Sequence, residues 1–120
     1  MRNRLSETDL RQFTGTETWY RHPFNPKVLY TEGVRYVAEE GGAYWLVDAI
    51  AIAQITVKKV AEEEFQVWTL KVQLDRTASL ACDDGNGNVV YTQAIDFTDF
   101  PMDEIKLYFT DNTLLLPSEY

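Results

Sequence analysis

The sequence has one cysteine, Cys82, and one histidine, His22. A lone cysteine cannot form an intrachain disulfide, which is typical of proteins kept in a reducing compartment. Zinc sites need about three or four ligands, mostly nitrogen or sulfur, and these two residues lie far apart in the chain. Nucleophilic catalysis would have to use His22 as its only imidazole base. We therefore expect no metal and no cofactor, and we favour a protein that is not an enzyme.

The chain also lacks a long apolar run and an excess of positive charge. No stretch reaches the roughly 18 to 20 apolar residues that span a bilayer, and the N-terminal "MRNRLSETDLRQF" has no signal-peptide core. The 19 acidic and 11 basic side chains give a net charge of -8. This acidic balance argues against direct binding to nucleic acid and to anionic membranes. We expect a cytoplasmic protein.

Length and composition predict one folded domain over residues 1–120, with a flexible N-terminus at residues 1–4. The apolar fraction is 45% and the aromatic fraction is 13%. Disordered chains are less apolar than this. No repeat or low-complexity linker divides the sequence, so a second domain is not expected.

The residue pattern of the N-terminal half predicts helices and a hairpin. "LSETDL" places an N-cap at Ser6 and predicts a helix over residues 7–13. "KVLYTEGVRYVAEEGG" is rich in β-forming residues and predicts a β-hairpin over 28–39, with helix as the rival assignment. "AYWLVDAIAIAQITV" predicts one long apolar helix over 43–57. Because that helix is apolar on most sides, either a sheet or a second copy should cover it.

The C-terminal half predicts a meander of about five antiparallel strands. One face of its first strand carries alternating apolar residues: Trp68, Leu70, Val72 and Leu74. Asn86-Gly87 is a strong hairpin signal, and counting outward from it places Cys82 opposite Tyr91. Asp111-Asn112 turns the chain into a last strand that Pro117 ends, which suggests an edge position. The fold class is therefore α+β, with a curved sheet packed on the long helix.

The stretch "FTGTETWYRHP" contains the candidate binding residues. They are Glu17, Trp19, Tyr20, Arg21 and His22. Aromatic and arginine side chains dominate binding hot spots, but in small domains such clusters also close the end of a core. The stretch is therefore either a lid or a partner site, and a lid can itself border a pocket.

A calcium loop is the most tempting motif elsewhere in the chain. Asp84, Asn86 and Asn88 alternate as in an EF-hand, but Val89 stands where the loop needs glycine and Ile95 where it needs glutamate. Turn chemistry explains the same residues. The glycine motifs that bind phosphate and the glycine-flanked serine of hydrolases are both missing.

Several longer stretches carry a family resemblance. "VLYTEGVRYVAEEGGAYWLVDAIA", "DGNGNVVYTQAIDFTDFP" and "EIKLYFTDNTLLLPSEY", together with "FTGTETWYRHP", resemble an uncharacterised family of small bacterial proteins that also occurs in phage-like and mobile-element settings. The resemblance runs from about Phe13 to Tyr120. It implies no catalytic residue and no ligand, because the family has no established activity.

Three functions are compatible with these observations. The favoured one is a non-enzymatic interaction or accessory module that binds a protein partner or its own copy, as a homodimer, through the aromatic stretch and the exposed part of the long helix. The first alternative is a small-molecule pocket or small enzyme that uses His22, with Tyr20 and Glu17 near its mouth. The second is an acidic decoy that mimics nucleic acid.

Overall fold

The computed structural model describes residues 5–15 and 17–120. The prediction of a flexible segment at 1–4 lies outside these residues. The elements in chain order are α1 (Glu7–Arg11), β1 (Trp19–Arg21), β2 (Leu29–Thr31), α2 (Glu32–Gly41), α3 (Tyr44–Thr56), α4 (Lys58–Ala61), β3 (Phe65–Val72), β4 (Ala78–Asp83), β5 (Val89–Ile95), β6 (Glu104–Thr110), β7 (Thr113–Leu115) and a final 3-10 turn (Pro117–Glu119). Among the described residues, no helix has the length and apolar character needed to cross a membrane.

The strands form a seven-stranded mixed sheet in the order β1-β2-β7-β6-β3-β4-β5. The α+β class is confirmed, but the five-strand meander is wrong. β6 pairs with β3 rather than with β5, and β7 pairs with the distant β2 in parallel. The last strand is therefore interior, and the edge position suggested by Pro117 is wrong. Proline ends that strand without exposing it, because β2 covers its other side.

Helix α2 replaces the second half of the hairpin predicted at 28–39. Thr31 caps the helix by accepting a hydrogen bond at Oγ1 from the Val34 N–H (3.2 Å), and Gly42 ends it in the left-handed region at φ 61°. Its buried residues follow the helical spacing: Val34, Val37, Ala38 and Gly41. Apolar residues at this spacing fill one side of a helix. This periodicity outweighs the β-propensity that suggested a strand.

Gly33 is required in α2 for close packing, although Glu32-Gly33 would serve as the turn of the hairpin predicted at 28–39. An added Cβ would lie 2.7 Å from a side-chain carbon of Leu116. The Glu119 carboxylate lies at the same place and accepts hydrogen bonds from Thr31 Oγ1 (2.7 Å) and from the Gly33 N–H (3.2 Å). A carboxylate at a helix N-terminus is stabilising, so the C-terminal turn fixes the start of α2.

Helix α3 occupies Tyr44–Thr56, within the range 43–57. It is not the single long helix of the prediction, because α2 adds a second helix of 10 residues. Five residues of α3 are buried: Leu46, Val47, Ile50, Ala51 and Ala53. They join the apolar side chains of the central strands in one core cluster. The helix is thus covered on one side and leaves an apolar outer side uncovered.

The helix cap, the strand register and the turn that short segments predict are confirmed. Ser6 Oγ caps α1 by accepting from the Asp9 N–H (3.3 Å), although the helix ends at Arg11 rather than at 13. Cys82 lies opposite Tyr91 as counted, with a bulge between Cys82 and Asp83. Asp111 and Asn112 have φ of 52° and 59°, the left-handed conformation of a tight hairpin turn.

The face assigned to the first strand of the C-terminal half is correct only in part. Trp68, Leu70 and Val72 are buried, but Leu74 is 100% exposed. β3 ends at Val72, and the chain turns before Leu74 can reach the core. An apolar residue beyond the end of a strand does not follow the alternation of that strand.

The buried thiol of Cys82 yields a test of the sheet. Burial raises its pKa to about 12, so at pH 8 almost none of it is the reactive thiolate. We expect a thiol reagent such as Ellman's reagent to leave the native protein unmodified for hours and to titrate one thiol in denaturant. Rapid and complete labelling of the native protein would contradict the placement of β4 between β3 and β5.

Candidate functional site

The five candidate residues do not form one site. Trp19, Tyr20 and Arg21 make up β1, which lies at one edge of the sheet, and Glu17 is exposed just before it. Strand alternation places Trp19 and Arg21 on one face and Tyr20 on the other. His22 follows the strand and is buried. The stretch therefore divides into exposed strand residues and one interior imidazole.

His22 is 1% exposed, and its ring makes three hydrogen bonds. Its Nε2 lies 2.7 Å from Asp48 Oδ1. Its Nδ1 accepts from the backbone N–H groups of Phe24 and Asn25, at 3.1 Å each. Because both backbone groups are donors, Nδ1 must be the acceptor nitrogen of a neutral ring. The ring proton is therefore on Nε2 and is donated to Asp48.

An imidazole paired with a carboxylate is half of a general-base arrangement. A catalytic base must also reach a proton on the substrate. Both ring nitrogens of His22 already have partners within the chain, and the ring is closed off from solvent. The acid that would polarise a catalytic His22 is present, but substrate has no access to the ring. This geometry suits an anchor better than a base.

The loop after β1 is fixed to helix α3 at two points. Besides the contact of His22 with Asp48, Asn25 Nδ2 donates to the Ala51 carbonyl (2.9 Å). Arg21 Nη1 donates to the Pro26 carbonyl and so braces the loop from the strand side. Between the two anchors stands Phe24, which is 68% exposed. The loop cannot fold this ring inward while both anchors hold.

Two exposed isoleucines of α3 follow the residues that anchor the loop. Ile52 follows Asp48 by one turn and is 40% exposed, and Ile55 follows Ala51 by one turn and is 64% exposed. Residues four apart share a helix face, so each isoleucine lies one turn beyond a residue that holds the loop. We call Phe24, Ile52 and Ile55 the apolar patch. Asp48, the only charged residue of α3, is engaged by His22.

Tyr20 belongs to a second group of side chains around β1 and α2, which we call the tyrosine cluster: Tyr20, Tyr30, Arg35, Glu39 and Tyr44. The rings of Tyr20 and Tyr30 stack at 5.6 Å. Arg35 Nη1 donates to the Tyr20 hydroxyl (2.9 Å), and the Tyr44 hydroxyl donates to Glu39 Oε2 (2.5 Å). Tyr44 precedes Asp48 by one turn of α3 and Ile52 follows it by one turn, so the cluster and the apolar patch lie along one face of the helix.

At neutral pH the protonation states of the side chains in the cluster favour these contacts. Burial raises the pKa of the Tyr30 and Tyr44 hydroxyls above the usual value, so both remain protonated donors. Hydrogen bonding to Tyr20 raises the pKa of the Arg35 guanidinium, which stays charged. The cluster thus holds one cation, Arg35, and one anion, Glu39, 4.0 Å apart, beside the protonated hydroxyls of Tyr30 and Tyr44.

A shallow groove of about 420 Å³ runs beside the tyrosine cluster. The rings of Phe13 and Tyr36, whose centroids are 5.1 Å apart, line it on one side. Three acids, Glu32, Glu39 and Glu40, lie along it. Arg35 lines it too, so the lining is aromatic with three acids against one cation, and this negative balance favours an apolar ligand carrying positive charge.

No group of three or more His, Cys, Asp or Glu within residues 5–15 and 17–120 could hold a metal ion. In the loop that resembled an EF-hand, Asp84 Oδ2 accepts from the Asn88 side chain (2.9 Å) and Oδ1 accepts from the Asn86 N–H (2.8 Å). These bonds lower the pKa of Asp84, with that to the Asn88 side chain contributing most. The alternating residues build a turn, as their turn chemistry indicated.

Sequence reasoning missed most of this surface. The sequence patterns do not single out Phe24, which stands between Pro23 and Pro26, and they place Tyr30 and Arg35 in a hairpin. Asp48 offered a usable signal, because a single charge within an apolar helix needs a partner. That partner, His22, is 26 positions away in the sequence, and no local pattern links the two.

Comparison with known families gave a match over nearly the whole chain. A family model described as "Family of unknown function (DUF6876)" covers residues 4–120. No curated protein and no solved structure matches the chain. The resemblance to a family without an established activity is thereby confirmed.

The anchor role of His22 predicts a graded loss of stability. His22→Ala removes a buried ring and leaves two backbone donors without a partner, so we expect unfolding to become easier by about 2–4 kcal/mol. Asp48→Asn keeps an oxygen that can accept from Nε2–H and should cost only about 1 kcal/mol. Urea unfolding measures both. As a control, exposed Glu17→Ala should change stability by less than about 0.5 kcal/mol. A similarly small effect of His22→Ala would contradict the anchor.

Proposed function

We propose, from the premise that the chain belongs to the family of unknown function matched over residues 4–120, that it is a non-enzymatic protein-interaction module. Its binding surface is the apolar patch together with the adjoining tyrosine cluster. The partner is a protein that inserts an apolar ridge between Phe24 and the outer side of α3.

The observation that carries this proposal is an apolar ring held outward by buried anchors. Phe24 is 68% exposed, whereas its neighbours His22 and Asn25 are 1% and 6% exposed. Apolar side chains fixed in an exposed position bind without first paying an ordering cost. Isolated exposed apolar residues are common, but a contiguous patch with a polar surround is typical of interaction sites.

The charge around the patch indicates the chemistry of the partner. Glu32, Glu39 and Glu40 border the cluster, and the chain has a net charge of -8. A partner with lysine or arginine at the rim of its apolar ridge would be steered toward this surface. Such rim contacts weaken with salt, whereas the apolar contacts at the centre persist. Binding should therefore survive high salt with reduced affinity.

The two alternative functions have less support. A small enzyme that uses His22 would need access to a ring that is 1% exposed. An acidic decoy would bind through charge alone and would not use Phe24, Ile52 or Ile55. Neither alternative gives the exposed patch a role.

The proposal predicts that small polar substitutions in the patch abolish partner binding. Tagged wild-type protein is used to capture partners from a lysate of its host, and the captured protein is then titrated with purified variants by calorimetry. For the double variant Phe24→Ser, Ile55→Ser we expect affinity to fall at least about tenfold, because hot-spot truncation costs about 1–2 kcal/mol or more.

Leu74→Ser is the matched control. Leu74 is 100% exposed on a turn outside the patch, so its substitution removes apolar surface of similar type without touching the site. It should bind like the wild type. Equal affinity of the double variant and the wild type, or binding lost entirely at high salt, would count against the proposal. The second result would favour the decoy.

A further inference from the structure

β5 is an edge strand whose second half, residues 91–95, lacks the usual protection against pairing. It is the last strand of the sheet and spans Val89–Ile95, "VVYTQAI", with no charged residue and no proline. Charged residues make up 25% of the chain, so a seven-residue strand with no charged residue departs from the average composition of the chain. The opposite edge, β1, has three residues and carries Arg21. Natural sheets shield edges with charge, proline, bulges or short length; β5 has a bulge at Val90, near its start, and none of these devices along residues 91–95.

The hydrogen-bond pattern determines which backbone groups of β5 face outward. In the β3–β4 hairpin the Gln73 N–H donates to the Thr77 carbonyl (2.8 Å). Bonding alternates along antiparallel strands, so the even-numbered residues of β4 bond toward β5. Their partners there are Tyr91, Gln93 and Ile95. The N–H and C=O groups of Thr92 and Ala94 therefore point away from the sheet, and both residues are exposed.

This outward edge is complementary to itself. If a second copy lies antiparallel with a two-fold axis at Gln93, Thr92 of each copy faces Ala94 of the other. Both residues offer outward backbone groups, so each pair forms two hydrogen bonds. The two Gln93 side chains meet at the axis, where each amide can donate to the other. Isologous pairing of this kind closes at two chains and leaves no free edge at β5.

The side chains fit the same register. Tyr91 and Ile95 lie opposite the buried Cys82 and Ala78, which places them on the helix-covered face of the sheet. In the paired strands, Tyr91 of one copy lies opposite Ile95 of the other, and aromatic residues opposite β-branched ones stabilise sheets. Beside Ile95 is a groove of about 360 Å³ that is lined in part by Trp45 and Phe97. Tyr91 of the second copy would enter this groove.

Charge favours a second copy meeting at this edge rather than elsewhere. Each chain carries a net charge of -8, so two copies repel each other over most of their surface. Along Val89–Ile95 no acid faces another acid. We propose that β5 is the dimer interface of this protein, with two chains joined antiparallel about Gln93 into one continuous sheet.

Disulfide trapping tests the register. Opposed residues of a non-hydrogen-bonded antiparallel pair have Cα atoms about 4.5 Å apart, within the range that a disulfide spans. Gln93→Cys should therefore form a covalent dimer at least about tenfold faster than Ser79→Cys, an exposed control on β4, because only the first is held beside its copy. The native Cys82 is buried and adds little background. Equal rates would overturn the proposed register.

Light scattering tests the dimer itself. The wild type should have twice the chain mass of 13.9 kDa. Thr92→Pro removes an outward N–H that the single chain does not use, and edge strands tolerate such a proline. We expect this variant to be monomeric with an unchanged melting temperature. Thr92→Lys, which protects the edge by charge, should give the same result if the proline variant does not fold.

A wild type that is monomeric at about 100 µM would overturn the proposal, since that places the dissociation constant above the range of a specific dimer. So would folded Thr92 variants that remain dimeric. The double variant Phe24→Ser, Ile55→Ser should stay dimeric, because the apolar patch does not include β5. The tests can thus refute the dimer proposal and the proposed partner-binding function independently of each other.

Discussion

The contact of His22 with Asp48 is the constraint on which the exposed surface depends. It joins the loop after β1 to helix α3 across 26 positions of sequence, with 2.7 Å between Nε2 and Oδ1. It engages the only charge on an apolar helix and satisfies two backbone donors of the loop through the other ring nitrogen. Without it the loop would have only Asn25 as a buried anchor, and Phe24 would be free to turn inward. The single histidine thus shapes a surface instead of performing chemistry.

The two proposed surfaces use the sheet in different ways. At the β1 end, strand residues support side chains: Tyr20 stacks on Tyr30 and meets Arg35 of α2, and the loop beyond presents Phe24. At the β5 end, the strand offers its backbone. The long-range pairing of β2 with β7 connects the two ends through one sheet. A module built this way could bind a partner at one end and its own copy at the other.

Sequence patterns predicted the features that short segments determine. The cap at Ser6, the turn at Asp111-Asn112 and the register of Cys82 with Tyr91 each depend on a few neighbouring residues. The pairing of β2 with β7 and of β6 with β3 depends on the whole chain, and was not predictable from alternation. At α2, β-branched residues at helical spacing are compatible with both a strand and a helix. Only the packing of their side chains against the core distinguishes the two. The candidate stretch was located correctly, but its division into a buried anchor and an exposed strand required the fold.

The most direct test of the account is the protonation state of the His22 ring, observed by long-range proton–nitrogen correlation NMR at neutral pH. The account predicts one neutral ring with the proton on Nε2, a slowly exchanging N–H resonance, and loss of that resonance pattern in Asp48→Ala. A proton on Nδ1, or an N–H that exchanges with solvent as fast as in a free imidazole, would contradict it. Fast exchange would return His22 to the role of an accessible base.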